Sequence, residues 1–321
     1  MTTRRVCIIF VLSSFLFYSC SINRMATYAV ADVLSGTGSS STVFTGEDDP
    51  QLVADALPFA LKLYESVLSE APDHQALGLA TGSAFVMYAN AFVEAPAEAL
   101  PSSEYEQREK ARARAKNLYL RGYAYLERGI EQKSPGLIAI LQGDKDQKVE
   151  KSKKALSRFK KEDAGLLYWS GAALMAAYAL DPFDFALGTR IADVRLFMAR
   201  AYELDPDFGG SSIDDFYISF YGSLPPDLGG NVQKAEAHFN LALSKSKGLS
   251  ASPYVSYATA IMVPRQDYPE FKRLLDTALA IDVNAEPGIR LVNLISQERA
   301  KRLLENAGDI FFDLGDDEAQ E

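Results

Sequence analysis

The stretch from Leu224 to Asp282 constrains the fold more than any other part of the chain, because it holds two segments built on one plan. In the first, Ala235, Phe239 and Ala242 stand four and three residues apart. That spacing puts them on one face of a helix, with a large ring between two small side chains. In the second, Phe271, Leu275 and Ala278 repeat the face. Earlier, Val194, Met198 and Ala201 precede Tyr202-Glu203-Leu204-Asp205-Pro206 in the same manner. A helical hairpin of this kind cannot bury its apolar face alone, whereas stacked copies bury a continuous core and curve around a concave surface.

The spacing from Ala201 to Ala242 is 41 residues and from Ala242 to Ala278 is 36. Both lie near the ~34 of a tetratricopeptide repeat with short insertions. The endings Leu279-Ala280-Ile281-Asp282 and Leu204-Asp205-Pro206 also resemble that repeat's close. The expected fold is therefore all-α, a tetratricopeptide-like solenoid of helical hairpins with degenerate repeats.

Composition agrees. Of 321 residues 48% are hydrophobic, Ala-rich helical periods recur, and runs of alternating Val, Ile and Thr are scarce. The formal charge is -10, and it becomes two units more negative if Arg4 and Arg5 leave with a signal segment. The general surface of so acidic a protein is poorly suited to nucleic acid or anionic lipid.

The chain start has the three parts of an export signal over residues 1–19. Arg4 and Arg5 form the positive region, Val6 to Tyr18 the apolar run, and Ser19 the small residue at the cleavage edge. The run is shorter than the ~20 residues of a comfortable membrane span. Phe17-Tyr18-Ser19-Cys20 resembles a lipoprotein lipobox, departing from its usual pattern at Phe17 and Tyr18. Of the two cysteines, Cys7 would leave with the signal, so Cys20 has no partner for an internal disulfide and is the candidate lipidation site. An ordinary secretory signal with an incidental Cys is the other reading.

Residues 20–47 read as the lipidated N-terminus and tether. Met25, Tyr28, Ala29, Val33 and Leu34 have the composition of a short apolar helix, but Ser35 to Ser41 is rich in Gly and Ser. The helical repeat domain is expected over 48–314, opening at Asp49-Pro50 with a cap and a first-turn proline. Leu57, Leu61, Tyr64 and Leu68 share a face, and a helix follows from Gln75 to Val93 with Gly78, Gly82 and Ala89 beside large rings. Pro96 and Pro101 are expected to bracket a turn before a long helix to Gln132, with Ser103 and Glu106 at capping-box spacing. Lys145 to Lys161 reads as a solvated amphipathic helix, with a docking patch for an acidic partner as the second reading. Pro287 to Leu304 closes the domain with Leu291, Leu294, Ile295 and Leu303 apolar, and 315–321 is an acidic tail.

Ala164 to Leu180 is the most hydrophobic stretch after the signal and carries Tyr168 and the single Trp, Trp169. These rings fit a central core helix, and they equally fit an apolar groove, since aromatic rings with a polar handle suit partly wet binding surfaces.

A search for chemistry finds little. His74 and His238 are far apart, with no Cys or His cluster at metal-ligand spacing, so no metal site and no cofactor are expected. Gly229-Gly230 lacks the remaining glycines and Lys of a phosphate cradle and reads as a turn, while Asp48-Asp49 and Asp214-Asp215 read as caps and turns. No catalytic residues are assigned, and an enzyme is disfavoured.

The lipobox, Asp48-Asp49-Pro50, Ala56-Leu57-Pro58-Phe59-Ala60-Leu61-Lys62, Tyr88-Ala89-Asn90-Ala91-Phe92, Leu167-Tyr168-Trp169 and Leu224-Pro225-Pro226-Asp227-Leu228-Gly229-Gly230 together resemble the T component of spirochaetal TRAP-type transporters. Ala300 to Leu304 and Asp309-Ile310-Phe311 are similar to that family's ending. The resemblance implies a periplasmic, membrane-anchored lipoprotein of degenerate tetratricopeptide-like repeats that forms a homotrimer. It also implies a partner, the periplasmic solute-binding protein that delivers ligand to a sodium-driven permease. On this reading Tyr88, Asn90, Tyr168 and Trp169 lie on or near the apolar binding surface. Two other readings share the anchor and the repeats: a general envelope scaffold lipoprotein, and a lipoprotein that binds a hydrophobic ligand alone.

Overall fold

The computed structural model describes residues 27–36, 42–143 and 145–314. The signal peptide, Cys20, most of the Gly/Ser segment and the acidic tail lie outside them. Every regular element among the described residues is a helix, so the all-α expectation holds.

A short helix, α1, covers residues 27–34 and is followed by α2 (Thr42–Thr45). Within the stretch read as tether, Ala31 of α1 is fully buried against Leu68 and Leu77, with Leu34 beside them. The long helices then alternate in direction. α3 (Pro50–Glu70) is capped by Asp49, whose carboxylate accepts from the amides of Gln51 and Leu52. α4 (Gln75–Ala89) is capped by His74, whose Nδ1 accepts from the Leu77 amide. α4 continues through a π-helical turn, Asn90–Glu94, into α5 (Ala95–Glu98). α6 (Tyr105–Lys133) returns along α4, and α7 (Leu137–Gln142) with α8 (Lys145–Leu156) covers its far end.

α9 (Ala164–Leu180) and α10 (Phe185–Leu204) form a hairpin against α6. The next pair is α11 (Ser212–Ser223) with α12 (Val232–Ser246). α13 (Ser252–Tyr257) runs through a second π turn, Ala258–Met262, into α14 (Val263–Arg265) and pairs with α15 (Tyr268–Leu279). α16 (Arg290–Glu305) and α17 (Ala307–Ile310) complete the body.

Pro96 does not bracket a turn: it is the second residue of α5. The π segments supply the reason. A proline ring clashes with the carbonyl four residues back and removes a helical donor. Immediately before Pro96 the Ala95 amide bonds to Asn90, five residues back, and before Pro264 the Val263 amide likewise bonds to Ala258. This local widening at both sites lets the helix pass its proline, and the actual turn comes at residues 99–101. No side-chain cap precedes α6, so the spacing of Ser103 and Glu106 does not become a capping box.

Two cores meet at α11. Ile213, Tyr217 and Phe220 join the larger core of α3 to α10, while Ile218 joins the smaller core of α12 to α17. Small residues set the close approaches. A Cβ on Gly122 would lie 2.8 Å from the Gly82 carbonyl oxygen, so α4 and α6 cross backbone to backbone there. The stretch Gln75–Glu98 is long and apolar enough to cross a membrane, but half of its most hydrophobic window is buried between neighbouring helices.

The last long helix, α16, reaches back to the first part of the helical body. Arg299 of α16 pairs with Glu98 of α5 at 3.1 Å, Arg290 donates to the Gly46 carbonyl at 3.2 Å, and Asn306 donates to the Ala99 carbonyl at 3.4 Å. The inward face of α16 is Asn293, Ser296 and Ala300, not the expected leucines, which are partly buried beside it. Asn293 fills that place because it clamps the loop before α13: its amide donates to the Leu249 carbonyl at 2.8 Å and its oxygen accepts from the Ala251 amide at 2.9 Å.

Candidate functional site

Side chains of the α4–α5 segment, α6, α9, α11 and α16 interact around the Arg299–Glu98 pair. They form a polar cluster contributed by residues remote in sequence. Tyr119 of α6 donates from its hydroxyl to Glu94, and Asn90 bonds to the same hydroxyl. Glu98, one turn beyond Glu94, holds Arg299. Asp215 of α11 accepts from Ser252 and neighbours Ser256.

Electrostatics ties the cluster together. Burial pushes the Glu94 carboxyl up to about 7, the nearby Glu98 charge adds to the shift, and the Tyr119 hydroxyl and Arg299 oppose it. Burial raises the Asp215 carboxyl as well, against hydrogen bonds from Ser252 and Ser256. The charges of Glu98, Glu94 and Asp215 hold Arg299 in its cationic form despite burial. Desolvation in these groups coexists with open surface, since the Arg299 side chain is 36% exposed. Two atoms in the cluster, Nε of Arg299 and Oδ1 of Asp215, have no hydrogen-bond partner in the structure.

Beside the polar cluster lies an apolar strip. Tyr168 touches Trp169 edge-on, with ring centroids 5.0 Å apart, and Phe208 at 5.2 Å. Burial and the Asp215 charge raise the Tyr168 hydroxyl, which bonds to Ser212. Trp169 lines a groove with Leu79, Gly165 and Phe208, with Lys161 and Asp205 at its rim. Along α9 the partly open positions Trp169, Ala172 and Ala176 continue the strip.

The four sequence-derived candidates therefore separate. Asn90 and Tyr168 adjoin the polar cluster, and Trp169 lies in the groove. Tyr88 is buried in the seam of α4 and α6, packed on Phe92 with its hydroxyl accepting from Arg114 at 3.3 Å. Sequence reading missed Glu94, Glu98, Tyr119, Asp215 and Arg299. The available signal was Glu94 and Glu98 four residues apart, on one face of an otherwise apolar helix.

Asp214 and Asp215 are not turn residues. Both stand in the first turn of α11, with Asp214 fully buried. Burial alone would raise the Asp214 carboxyl, but His238 at 2.8 Å and Lys245 at 2.7 Å hold it below the usual range. His238 packs against Tyr217, at a centroid distance of 4.6 Å, and Tyr221, at 5.7 Å, which also stack on each other. This second cluster ties α11 to α12. Gly229, at φ +98°, and Gly230 form the turn into α12, as expected.

A family model described as TRAP transporter T-component matches residues 46–311, nearly the whole helical body. The chain belongs to the TRAP transporter T-component family. An uncharacterized protein of Treponema pallidum (strain Nichols) is 34% identical over 320 residues, spanning 96% of this chain and 98% of its own. Family membership gives the protein an accessory role in a TRAP transporter and puts it in the periplasm or at the membrane. Within this T component, the match covers every residue named in the polar cluster and in the Trp169 groove.

Proposed function

We propose that this T component is a lipid-anchored periplasmic subunit, acylated at Cys20, whose tetratricopeptide-like solenoid engages the periplasmic solute-binding protein of its transporter as a homotrimer. The family match over residues 46–311 carries the reading. The stacked hairpins α9–α10, α11–α12 and α13–α15 agree with a degenerate repeat array, closed at its end by α16.

The groove of Trp169 is the part of the T component suited to ligand. Trp169, Ala172 and Ala176 offer an apolar strip, and the Glu94–Arg299–Asp215 cluster lies beside it through Tyr168, so an apolar ligand with one polar group has matching surfaces. Phe183 is 98% exposed and Phe312 97%, both at the end of the stack where α9 and α16 finish. Aromatic rings in water at one end suit a protein partner.

The test is a pull-down with the chain from Cys20 onward, using an envelope extract, with the eluate identified by mass spectrometry and stoichiometry read by light scattering. A solute-binding protein on a trimeric core is the expected result. Recovery of envelope assembly proteins instead would reassign the protein as a general scaffold, and copurified lipid alone would make it a stand-alone hydrophobe binder.

A further inference from the structure

The end of α8 and the turn after it expose Lys151, Lys153, Lys154, Arg158, Lys160 and Lys161 on a chain whose formal charge is -10. Among the described residues the exposed carboxylates that flank them are Glu150 and Glu162, and Asp144 and Asp146 precede them in the sequence. Asp163 is taken up by Lys133 at 2.8 Å, and Lys161 leans on Asp205 at 3.5 Å. The basic face is fixed to the body. Ser152, Leu156 and Phe159 are buried beneath it, Ser134 donates to the Ala155 carbonyl at 3.2 Å, and Arg200 donates to the Phe159 carbonyl at 3.0 Å.

Topology decides which way this face points. Helices α3, α6, α10 and α12 finish, and α4, α9, α11 and α13 begin, at one end of the stack. α8 lies between the end of α6 and the start of α9, so it belongs to that end. The N-terminal helix α1 is fastened there too. His74 uses Nδ1 as an acceptor for the Leu77 amide, so its Nε2 donates to Asp32 of α1 at 3.1 Å, and the Tyr28 hydroxyl donates to Asp73. Only residues 21–26 separate α1 from Cys20, a reach of at most about 25 Å.

We propose that the basic face of α8 is a membrane contact that binds anionic phospholipid headgroups. It supplements the anchor and, because the rest of the protein is acidic, it sets the orientation: this end faces the bilayer, and the end bearing Phe183 and Phe312 faces away. The proposal rests on acylation of Cys20 for the position of the membrane. Each Lys or Arg at an anionic surface contributes roughly fivefold to partitioning, and the effect is screened by salt.

The chain from Cys20 onward keeps every described contact, so its unacylated form can be tested directly by flotation with vesicles. The expected result is flotation with phosphatidylcholine vesicles containing about one quarter phosphatidylglycerol at about 50 mM salt, and none with phosphatidylcholine alone or at about 500 mM salt. K151E/K153E/K154E, and the milder K151Q/K153Q/K154Q, should keep the helical circular dichroism spectrum and lower partitioning at least tenfold. Equal flotation with both vesicle types, or unchanged flotation of the variants, overturns the proposal. Absence of flotation with the anionic vesicles also overturns it, and retention on an acidic polypeptide would then assign the face to an acidic protein. Acylation is read separately from the mass of the N-terminal peptide of membrane-extracted protein, so failure of the anchor and failure of the lipid contact give different results.

Discussion

Arg299 on α16 donates to Glu98 on α5 at 3.1 Å, joining residues 201 positions apart. This pair joins α16 to α5, and it places a cation beside Glu94, Glu98 and Asp215. Both partners are 36% exposed, so the pair itself contributes little, on the order of 0–1 kcal/mol. Removing the cation costs more, because the carboxylates around it lose their counter-charge. Arg299→Ala should lower stability by about 1–2 kcal/mol in urea unfolding at pH 8. Adding Glu98→Gln should recover part of that loss, and strict additivity in the double-mutant cycle would show that the two residues do not interact.

Glu94 gives the polar cluster a pH dependence. Its carboxyl rises from 4.5 to about 7 in the folded protein, so the folded state holds a proton that the unfolded chain has released. The stabilisation from this group is full below about pH 4.5 and is lost as pH rises through about 7. Glu94→Gln keeps an acceptor for Tyr119 without the charge. It should raise stability by about 1–3 kcal/mol at pH 8 and change it little at pH 4, measured as melting temperature at both pH values.

The α4–α6 crossing depends on absent side chains. A Cβ at Gly122 would meet the Gly82 carbonyl oxygen at 2.8 Å and the Phe85 Cβ at 3.0 Å, neither of which moves easily. Gly122→Ala should cost about 2–3 kcal/mol. At Gly78, with no atom within 4 Å, the same change should stabilise the helix by about 0.5–1 kcal/mol. Denaturant midpoints of the two variants should therefore move in opposite directions.

Trp169 reports on its own groove, because it is the only tryptophan. Its fluorescence should change on titration with the transporter's solute-binding protein or with an apolar ligand. Trp169→Ala should keep the fold at a cost of about 1–2 kcal/mol and weaken binding at least tenfold. Leu167→Ala, in the core two residues away and fully buried, should instead cost about 2–5 kcal/mol. Lost folding in Trp169→Ala, with no separate binding defect, would make this ring a core residue.

Local features were legible where the physics is local. Asp49 caps α3 as its position before Pro50 requires, and Gly229-Gly230 turns the chain into α12. Phe271, Leu275 and Ala278 are buried as their spacing demands, as are Ala235 and Ala242, while Phe239 between them is partly buried. Pro96 was misleading because a proline ordinarily ends a helix, and only the π turn before it lets the helix continue. The α16 face was misleading because Asn293 is inward for its hydrogen bonds to residues 249 and 251, which no periodicity of apolar residues reveals.

By itself the sequence determined the helices, the small-beside-large faces that pair them and the family to which the chain belongs, because these depend on spacing along the chain and on the match over residues 46–311. Only the tertiary structure decided the polar cluster. Glu94, Tyr119, Tyr168, Asp215 and Arg299 come from five separate helical segments, and their proximity depends on how the helices stack until α16 reaches α5. The altered protonation of Glu94 follows from that proximity and from the loss of water around it, and neither exists until the helices pack.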